Sequence, residues 1–368
     1  DYGDAPSIQA EPPMIATAVT ATSDVSPVLD QHQIDEAALI RFFTDHVDSF
    51  RPPLTLGQCQ GGMSNPTFVV TDGGGNRYVL RKKPPGDLLP SAHAVDREYR
   101  VITALTDTDV PVPKTYALCE DETVIGQAFY VMAFMDGRVF RRLDLPDMDI
   151  AERSAIYEAM GDTLAKLHGV NFEAVGLADF GRISGYAARQ VARWSKQYEA
   201  QKTEDVADMD RLIQWLPDNM PAETETTLVH GDFRLENMIF HPTEAKVLAV
   251  VDWELATLGD PLSDLAYNCL PYHWPEESFG DMRGLDASTP GIPSEADYVA
   301  AYCKHTGRDT IEDWNFYLVL SLFRLAAIIQ GVYYRGLQGN ASSPEALLRR
   351  DLTRQLSIRA WGLVEGGD

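Results

Sequence analysis

The sequence predicts an α+β protein built as two lobes, a small β-rich one over residues 34–135 and a larger, mainly helical one over 136–368. Three observations carry that reading. From 54 to 135 the apolar residues alternate or run in short β-branched and aromatic stretches, and Asp72-Gly73-Gly74-Gly75-Asn76 supplies a hairpin turn between two of them. After Asp136-Gly137 the apolar period lengthens to that of helices. A chain of 368 residues is also long enough to divide into two units.

Residues 1–30 are rich in Ala, Ser, Thr and Pro and contain no Lys or Arg. That composition matches neither a secretory leader nor a transit peptide, and residues 1–33 are expected to form a disordered tail. Ile34, Ala38, Phe42, Val47 and Phe50 share one face of a helix expected over 34–50. Strands follow at 54–60, 67–71 and 77–82, then a helix at 91–106 and strands near 115–120 and 128–135. In the second lobe helices are expected at 149–168, 184–200, 205–216, 260–270, 294–306, 312–335 and 343–364. One β-like island interrupts them, at 228–232, 238–240 and 247–251.

Composition narrows the function. Against 55 Asp plus Glu stand 31 Lys plus Arg, a net charge of −24. Nucleic acid is therefore not the expected partner, since duplex phosphates demand clustered basic residues. No run of 18 apolar residues exists, so no membrane partner is expected either. Cys59, Cys119, Cys269 and Cys303 lie far apart, which argues against a disulfide framework and fits a reducing, cytoplasmic setting. Residues 51–135 are near neutral, with 8 basic and 9 acidic residues, and are the first place to seek an anionic ligand.

The strongest chemical signal is His230-Gly231-Asp232-Phe233-Arg234-Leu235-Glu236-Asn237, followed by Val251-Asp252-Trp253-Glu254. Phosphoryl transfer from a nucleotide needs a carboxylate to orient the attacking hydroxyl and a metal to neutralise charge between the β- and γ-phosphates. Magnesium takes hard oxygen ligands and keeps several waters, so one carboxylate and one amide suffice from the protein. Asp232 is placed as the base, with Asn237 and Asp252 as metal ligands. Each aspartate alone would read as a turn or cap residue. Together, at this spacing and behind an apolar strand, they point to catalysis. His230 reads as a packed loop residue.

These segments, with Gly259-Asp260-Pro261-Leu262-Ser263-Asp264-Leu265-Ala266, resemble the kinase-like aminoglycoside and choline phosphotransferase superfamily over about residues 35–340. The resemblance implies a protein-kinase-like two-lobe fold, with ATP and Mg2+ as cofactors in the cleft. Tyr78-Val79-Leu80-Arg81-Lys82-Lys83-Pro84-Pro85-Gly86, residues 91–105 and residues 253–266 look most like the phosphotransferase domains associated with acyl-CoA dehydrogenases. That subgroup implies a small-molecule hydroxyl acceptor of the hydroxyacyl-CoA class.

In the small lobe, Gly61, Gly62, Ser64 and Asn65 lie between two strand patterns, where short side chains let backbone N–H groups approach phosphates. A plain hairpin turn fits the same residues, and the downstream motif tips the reading toward phosphate. The kinase resemblance also implies a cation on the third strand paired with a helix carboxylate, a role for which Arg81, Lys82 and Lys83 compete. Alternate strand residues face opposite sides, so Arg81 is chosen over Lys82, with Val79 on its face to cover adenine. Glu98 falls on the apolar stripe of the 91–106 helix with Ala94, Val101 and Leu105, and a charge there requires a partner. By resemblance, backbone groups around Ala133 and Met135 pair with adenine, while His168, Asp260 and Asp264 brace the catalytic loop. Arg138, Arg141 and Arg142 either meet acyl-CoA phosphates or, the favoured reading, pair with Asp136, Asp144 and Asp147. Two other functions compete with the leading one: antibiotic phosphotransfer, which the acidic C-lobe would suit, and a nucleotide-binding scaffold without catalysis.

Overall fold

The computed structural model describes residues 18–20, 25–59, 65–85, 94–223, 225–274, 285, 288–339 and 344–366. Its strands are β1 (Ala18–Thr20), β2 (Val25–Ser26), β3 (Leu54–Cys59), β4 (Thr67–Asp72), β5 (Arg77–Lys82), β6 (Thr115–Cys119), β7 (Phe129–Ala133), β8 (Arg138–Phe140), β9 (Thr227–Val229), β10 (Met238–Phe240), β11 (Val247–Val250) and β12 (Thr257–Gly259). Its helices are α1 (Glu36–His46), α2 (Val95–Leu105), α3 (Ile150–His168), α4 (Tyr186–Gln201), α5 (Ala207–Asp218), α6 (Pro261–Asn268), α7 (Glu295–Thr306), α8 (Trp314–Leu337) and α9 (Leu352–Val364).

The small lobe is an antiparallel sheet in the order β2-β3-β4-β5-β7-β6. The Asp72 carboxylate builds the β4–β5 turn, accepting from the amides of Gly74 (2.9 Å), Asn76 (2.8 Å) and Arg51 (3.0 Å). Helix α1 starts where Asp35 accepts from the Ala38 amide at 3.0 Å. Its Leu39, Phe42 and Phe43 pack on one face of the sheet against Phe68, Tyr78, Leu80 and Phe129. The helix ends at His46, short of the expected 50, because Asp48 and Ser49 turn the chain; Val47 and Phe50 still join that cluster. Helix α2 covers the opposite face, setting Val101, Ile102 and Leu105 beside Tyr130 and Met132. The sheet therefore has two apolar faces of different use: one closed by α1, the other turned to α2 and the large lobe.

The stretch expected to be a disordered tail contributes two edge strands. β1 pairs with β8 and β2 with β3. Edge pairing satisfies backbone groups and needs no apolar run, so composition does not reveal it. Strands β8 and β12 were also absent from the sequence reading; at three residues each they carry too little pattern to detect.

In the large lobe, α8 runs through the middle, flanked by α4, α6 and α9. It is long and apolar enough to cross a membrane by composition, yet 83% of its most apolar window is buried inside this fold. The helix expected over 343–364 is broken into a 3-10 segment, Pro344–Arg349, and α9. The buried series Ala346, Leu352, Leu356 and Ala360 continues across the break, which hid it from periodicity. Strand β9 pairs with β12, and β10 with β11. These two pairings bring the 230–237 and 251–256 loops together at the mouth of the cleft.

Candidate active site

Strand β5 presents the first half of the site. Tyr78, Leu80 and Lys82 are buried on the α1 side, while Val79 and Arg81 face α2. Arg81 Nε lies 2.8 Å from Glu98 Oε2, and the Glu98 side chain is only 1% exposed. Asn65 Nδ2 (2.7 Å) and the Tyr130 hydroxyl (3.0 Å) donate to the same carboxylate. The guanidinium then reaches into the other lobe, with Nη2 2.5 Å from Asp252 Oδ1 and 3.8 Å from Glu254 Oε2. Burial favours the neutral form of Arg81, but Glu98, Asp252 and Glu254 outweigh it and hold the guanidinium charged. Burial likewise raises Glu98, with Arg81 opposing the rise. Lys82 points away, donating to Gln127 Oε1 at 3.3 Å, and burial lowers its pKa.

The second half is the loop after β9. Gly231 has φ +82°, and a Cβ there would lie 2.7 Å from the Leu255 carbonyl oxygen, so the backbone passes where only glycine fits. Three helices pin this loop. Asp264 of α6 accepts from the amides of His230 (2.7 Å) and Gly231 (2.9 Å), His168 of α3 stands 3.4 Å from the same carboxylate, and Arg324 of α8 donates to the Gly231 carbonyl at 2.6 Å. Burial pushes the Asp264 carboxyl up, but His168, His230 and these hydrogen bonds outweigh it and hold it below the usual range. Asp260 caps α6 through the Leu262 amide and accepts from the Tyr317 hydroxyl at 3.0 Å.

Asp232 and Asn237 face each other across the loop. Asn237 Nδ2 donates to the Asp232 carbonyl (2.8 Å) and to its Oδ2 (3.1 Å), which turns the amide oxygen away from Asp232. Arg234 Nε lies 3.4 Å from Asp232 Oδ2, and Tyr267 of α6 hydrogen-bonds the same carboxylate. Burial, then that carboxylate, push the Tyr267 hydroxyl up to about 12. Asp252 lies two residues past the end of β11 in the left-handed region, at φ 67° and ψ 55°, a costly conformation for a residue with a side chain. Its neighbour Val251 joins the loops: its amide donates to the Asn237 carbonyl (2.9 Å), and its carbonyl meets His230 Nε2 (3.0 Å).

The structure thus gathers Asn65, Arg81, Glu98 and Asp252 into one network and sets Asp232 and Asn237 beside it. Val79 shares the Arg81 face, as expected. Ala133 ends β7, where its N–H donates to the Lys114 carbonyl at 2.7 Å. Met135 lies two residues past the end of β7. Gly61, Gly62 and Ser64 lie outside the described residues. Arg138 pairs with Glu152 (2.7 Å) and Arg142 with Asp144 (2.5 Å), while Asp136 pairs with Arg77 (2.8 Å) instead. Tyr130, Tyr267 and Arg324 were missed by the sequence reading. Arg324 carried a signal, being the single charge in the apolar stretch between Trp314 and Tyr334.

Beside Asp232, on the side of Tyr267, a pocket of about 120 Å³ opens. Leu143, Leu270, Pro271 and Trp274 form its apolar wall, and Arg141, Arg234 and Glu236 supply its charges.

Comparison with known proteins agrees with this geometry. Residues 55–310 match the sequence model of the Phosphotransferase enzyme family. The chain is 45% identical over 344 residues to acyl-CoA dehydrogenase family member 11 of Homo sapiens, covering 92% of this chain and 44% of that protein. Family member 10 of Mus musculus is 48% identical over 312 residues, 84% of this chain and 29% of the relative. The chain spans less than half the length of these curated relatives. A crystal structure from Ralstonia eutropha, provisionally called an aminoglycoside phosphotransferase, aligns with a TM-score of 0.83 at 46% identity, over 91% of this chain and 100% of that one. A family match across most of the two lobes, on a kinase-like fold, makes this chain a member of the phosphotransferase enzyme family.

Proposed function

We propose that this enzyme moves the γ-phosphoryl group of ATP to the hydroxyl of a hydroxyacyl-CoA. Asp232 is the base, Asn237 and Asp252 are the magnesium ligands, and Arg81, oriented by Glu98, holds the nucleotide phosphates. The observation that carries the acceptor class is the pocket beside Asp232. Its wall is apolar, and its charged groups are two guanidiniums and one carboxylate. That lining suits an acyl chain bearing an anionic head. A polycationic aminoglycoside would require carboxylates where Arg141 and Arg234 stand.

The donor set fits magnesium. Asn237 turns its amide oxygen outward by committing both of its N–H contacts to Asp232, and Asp252 adopts a strained backbone just past β11. Both offer hard oxygen, the chemistry magnesium selects. A bound magnesium ion would neutralise charge between the β- and γ-phosphates. Asp232 holds the acceptor hydroxyl by its proton and takes that proton as the new O–P bond forms and the bond from the γ-phosphorus to the bridging oxygen breaks, with ADP as the leaving group. Asn237, Arg234 and Tyr267 fix the Asp232 carboxylate, so little reorganisation accompanies transfer. Arg81 presents a planar fork to phosphate oxygens, and Glu98 keeps that fork from folding away. Val79 and backbone groups around Ala133 and Met135 serve the adenine side, and Gly61, Gly62, Ser64 and Asn65 are the residues assigned to phosphate binding.

The test is a phosphotransfer assay with Mg-ATP, comparing hydroxyacyl-CoAs with aminoglycosides. Phosphorylation of the acyl-CoAs alone is expected. Turnover confined to aminoglycosides would overturn the acceptor assignment while leaving the kinase chemistry in place.

A further inference from the structure

We propose that the acceptor pocket has an inner chamber that receives the methyl end of the acyl chain and limits how many carbons lie beyond the phosphorylated hydroxyl. This inference rests on the acyl-CoA reading above and deepens it. Behind the pocket lies a second cavity of about 20 Å³, which shares Leu143, Arg234, Asn268 and Pro271 with the outer one. Its deeper walls include Tyr157, Met160, Leu285 and Tyr298, all buried.

The polar groups of those walls are already satisfied. The Tyr157 hydroxyl donates to the Leu143 carbonyl at 2.8 Å, and the Tyr298 hydroxyl to Asn268 Oδ1 at 2.6 Å. Asn268 Nδ2 donates to the Phe233 carbonyl at 3.1 Å, and the Tyr272 hydroxyl to the Pro293 carbonyl at 2.9 Å. A sugar hydroxyl or an amine entering here would lose its water and find its partners taken, whereas a hydrocarbon end loses nothing. Arg234 stays at the outer junction, held 3.1 Å from Glu236 and 3.4 Å from Asp232. The contact from Asn268 to Phe233, the residue after Asp232, places the chamber next to the base. An acceptor with its hydroxyl at Asp232 therefore sends its tail inward and its thioester outward, toward Arg141.

The chamber's size sets a limit. At about 20 Å³ it holds on the order of one methyl-sized group. Met160 and Leu285 are its aliphatic stops, and Met160 is unbranched and adaptable. Shortening either side chain should admit a longer tail.

The experiment uses a series of hydroxyacyl-CoAs with a fixed hydroxyl position and increasing chain length. Steady-state kinetics would be measured for wild type, Met160→Ala, Met160→Phe and Leu285→Ala, after melting curves confirm folding. Met160→Ala should move the optimum about two carbons longer, raising kcat/KM for the longer acceptor roughly tenfold. Met160→Phe should move it shorter. If Met160→Ala does not fold, Leu285→Ala and Met160→Phe read the same chamber from its other wall and in the opposite direction. Phosphorylation of hydroxyacyl-CoAs with one chain-length profile shared by all folded variants would overturn the chamber and leave the acyl-CoA reading standing. Failure of wild type on every hydroxyacyl-CoA, with turnover of another alcohol, would overturn both.

Discussion

Arg81 and Glu98 allow the sharpest quantitative test of the nucleotide side. Arg81→Ala leaves Glu98, 1% exposed, with only the neutral donors Asn65 and Tyr130. Stranding one member of a buried pair costs about 3–5 kcal/mol, or roughly 6–20 °C of melting temperature at about 2–4 °C per kcal/mol. Glu98→Ala should cost less, because Arg81 keeps Asp252 at 2.5 Å and Glu254 at 3.8 Å. Both substitutions remove one shared interaction, so the double variant should cost little more than the worse single one in phosphotransfer, and the coupling should reach on the order of 1–3 kcal/mol. The pH dependence has a definite sign. Burial already raises Glu98 and Arg81 opposes it, so removing Arg81 raises the folded-state pKa further above its unfolded value. That contribution is fully present below the unfolded pKa and is lost as pH rises through the folded one. Arg81→Ala should therefore lose more stability at pH 8 than at pH 5. Lys82→Met, which keeps the buried volume, should leave catalysis near wild type because Lys82 faces Gln127 and Phe68. Calorimetry across pH, paired with steady-state kinetics, reads all of these. Additive effects of Arg81 and Glu98, or a catalytic defect at Lys82 with a silent Arg81, would refute the assignment of the cleft cation.

Three further outcomes follow from the loop geometry. Asp232→Asn keeps the shape but cannot take a proton, so kcat should fall by roughly 10²–10⁴ with the KM for ATP nearly unchanged; a defect in ATP binding alone would move Asp232 out of the base role. Asp252→Gly suits φ 67° and removes the carboxylate, so the magnesium requirement should rise steeply while stability changes by less than about 1 kcal/mol. A magnesium titration with an unchanged midpoint would exclude Asp252 as a ligand. Asp264 sits below its unfolded pKa, so its stabilisation is present above that value and is lost as pH falls through the folded pKa; Asp264→Asn should melt lower at pH 7 and show a flatter acid limb.

Much of this fold was legible because its elements obey local rules. The apolar stripe of the first helix, the Asp72 to Asn76 turn and the alternation along β5 each place their residues without help from distant parts of the chain. The pairing of Arg81 with Glu98 was legible for the same reason. An isolated carboxylate on the apolar stripe of α2 demanded a cation, and the pleat allowed only one of two neighbours to supply it. What escaped were the edge strands β1 and β2, whose register comes from open sheet edges, and the break before α9, where buried spacing runs through a change of helix type.

The two sides of the cleft differ in how sequence encodes them. Phosphate chemistry dictates charges and amides at set separations, so Asp232 and Asn237, five residues apart in one loop, and Asp252, behind an apolar strand in the next, stand out together. The proposed acceptor side asks only for shape and apolarity, drawn from Leu143 near β8, Met160 on α3, Tyr267 on α6 and Trp274 beyond it. Each of these reads as ordinary core until the fold brings them together. Arg324 lies between the two cases. It is the single charge between Trp314 and Tyr334 of an apolar helix, the same signal that exposed Glu98, but its partner is the Gly231 carbonyl, a backbone group that no residue pattern can announce. Buried charges paired with side chains can thus be anticipated from sequence, whereas buried charges paired with backbone emerge only from the folded chain.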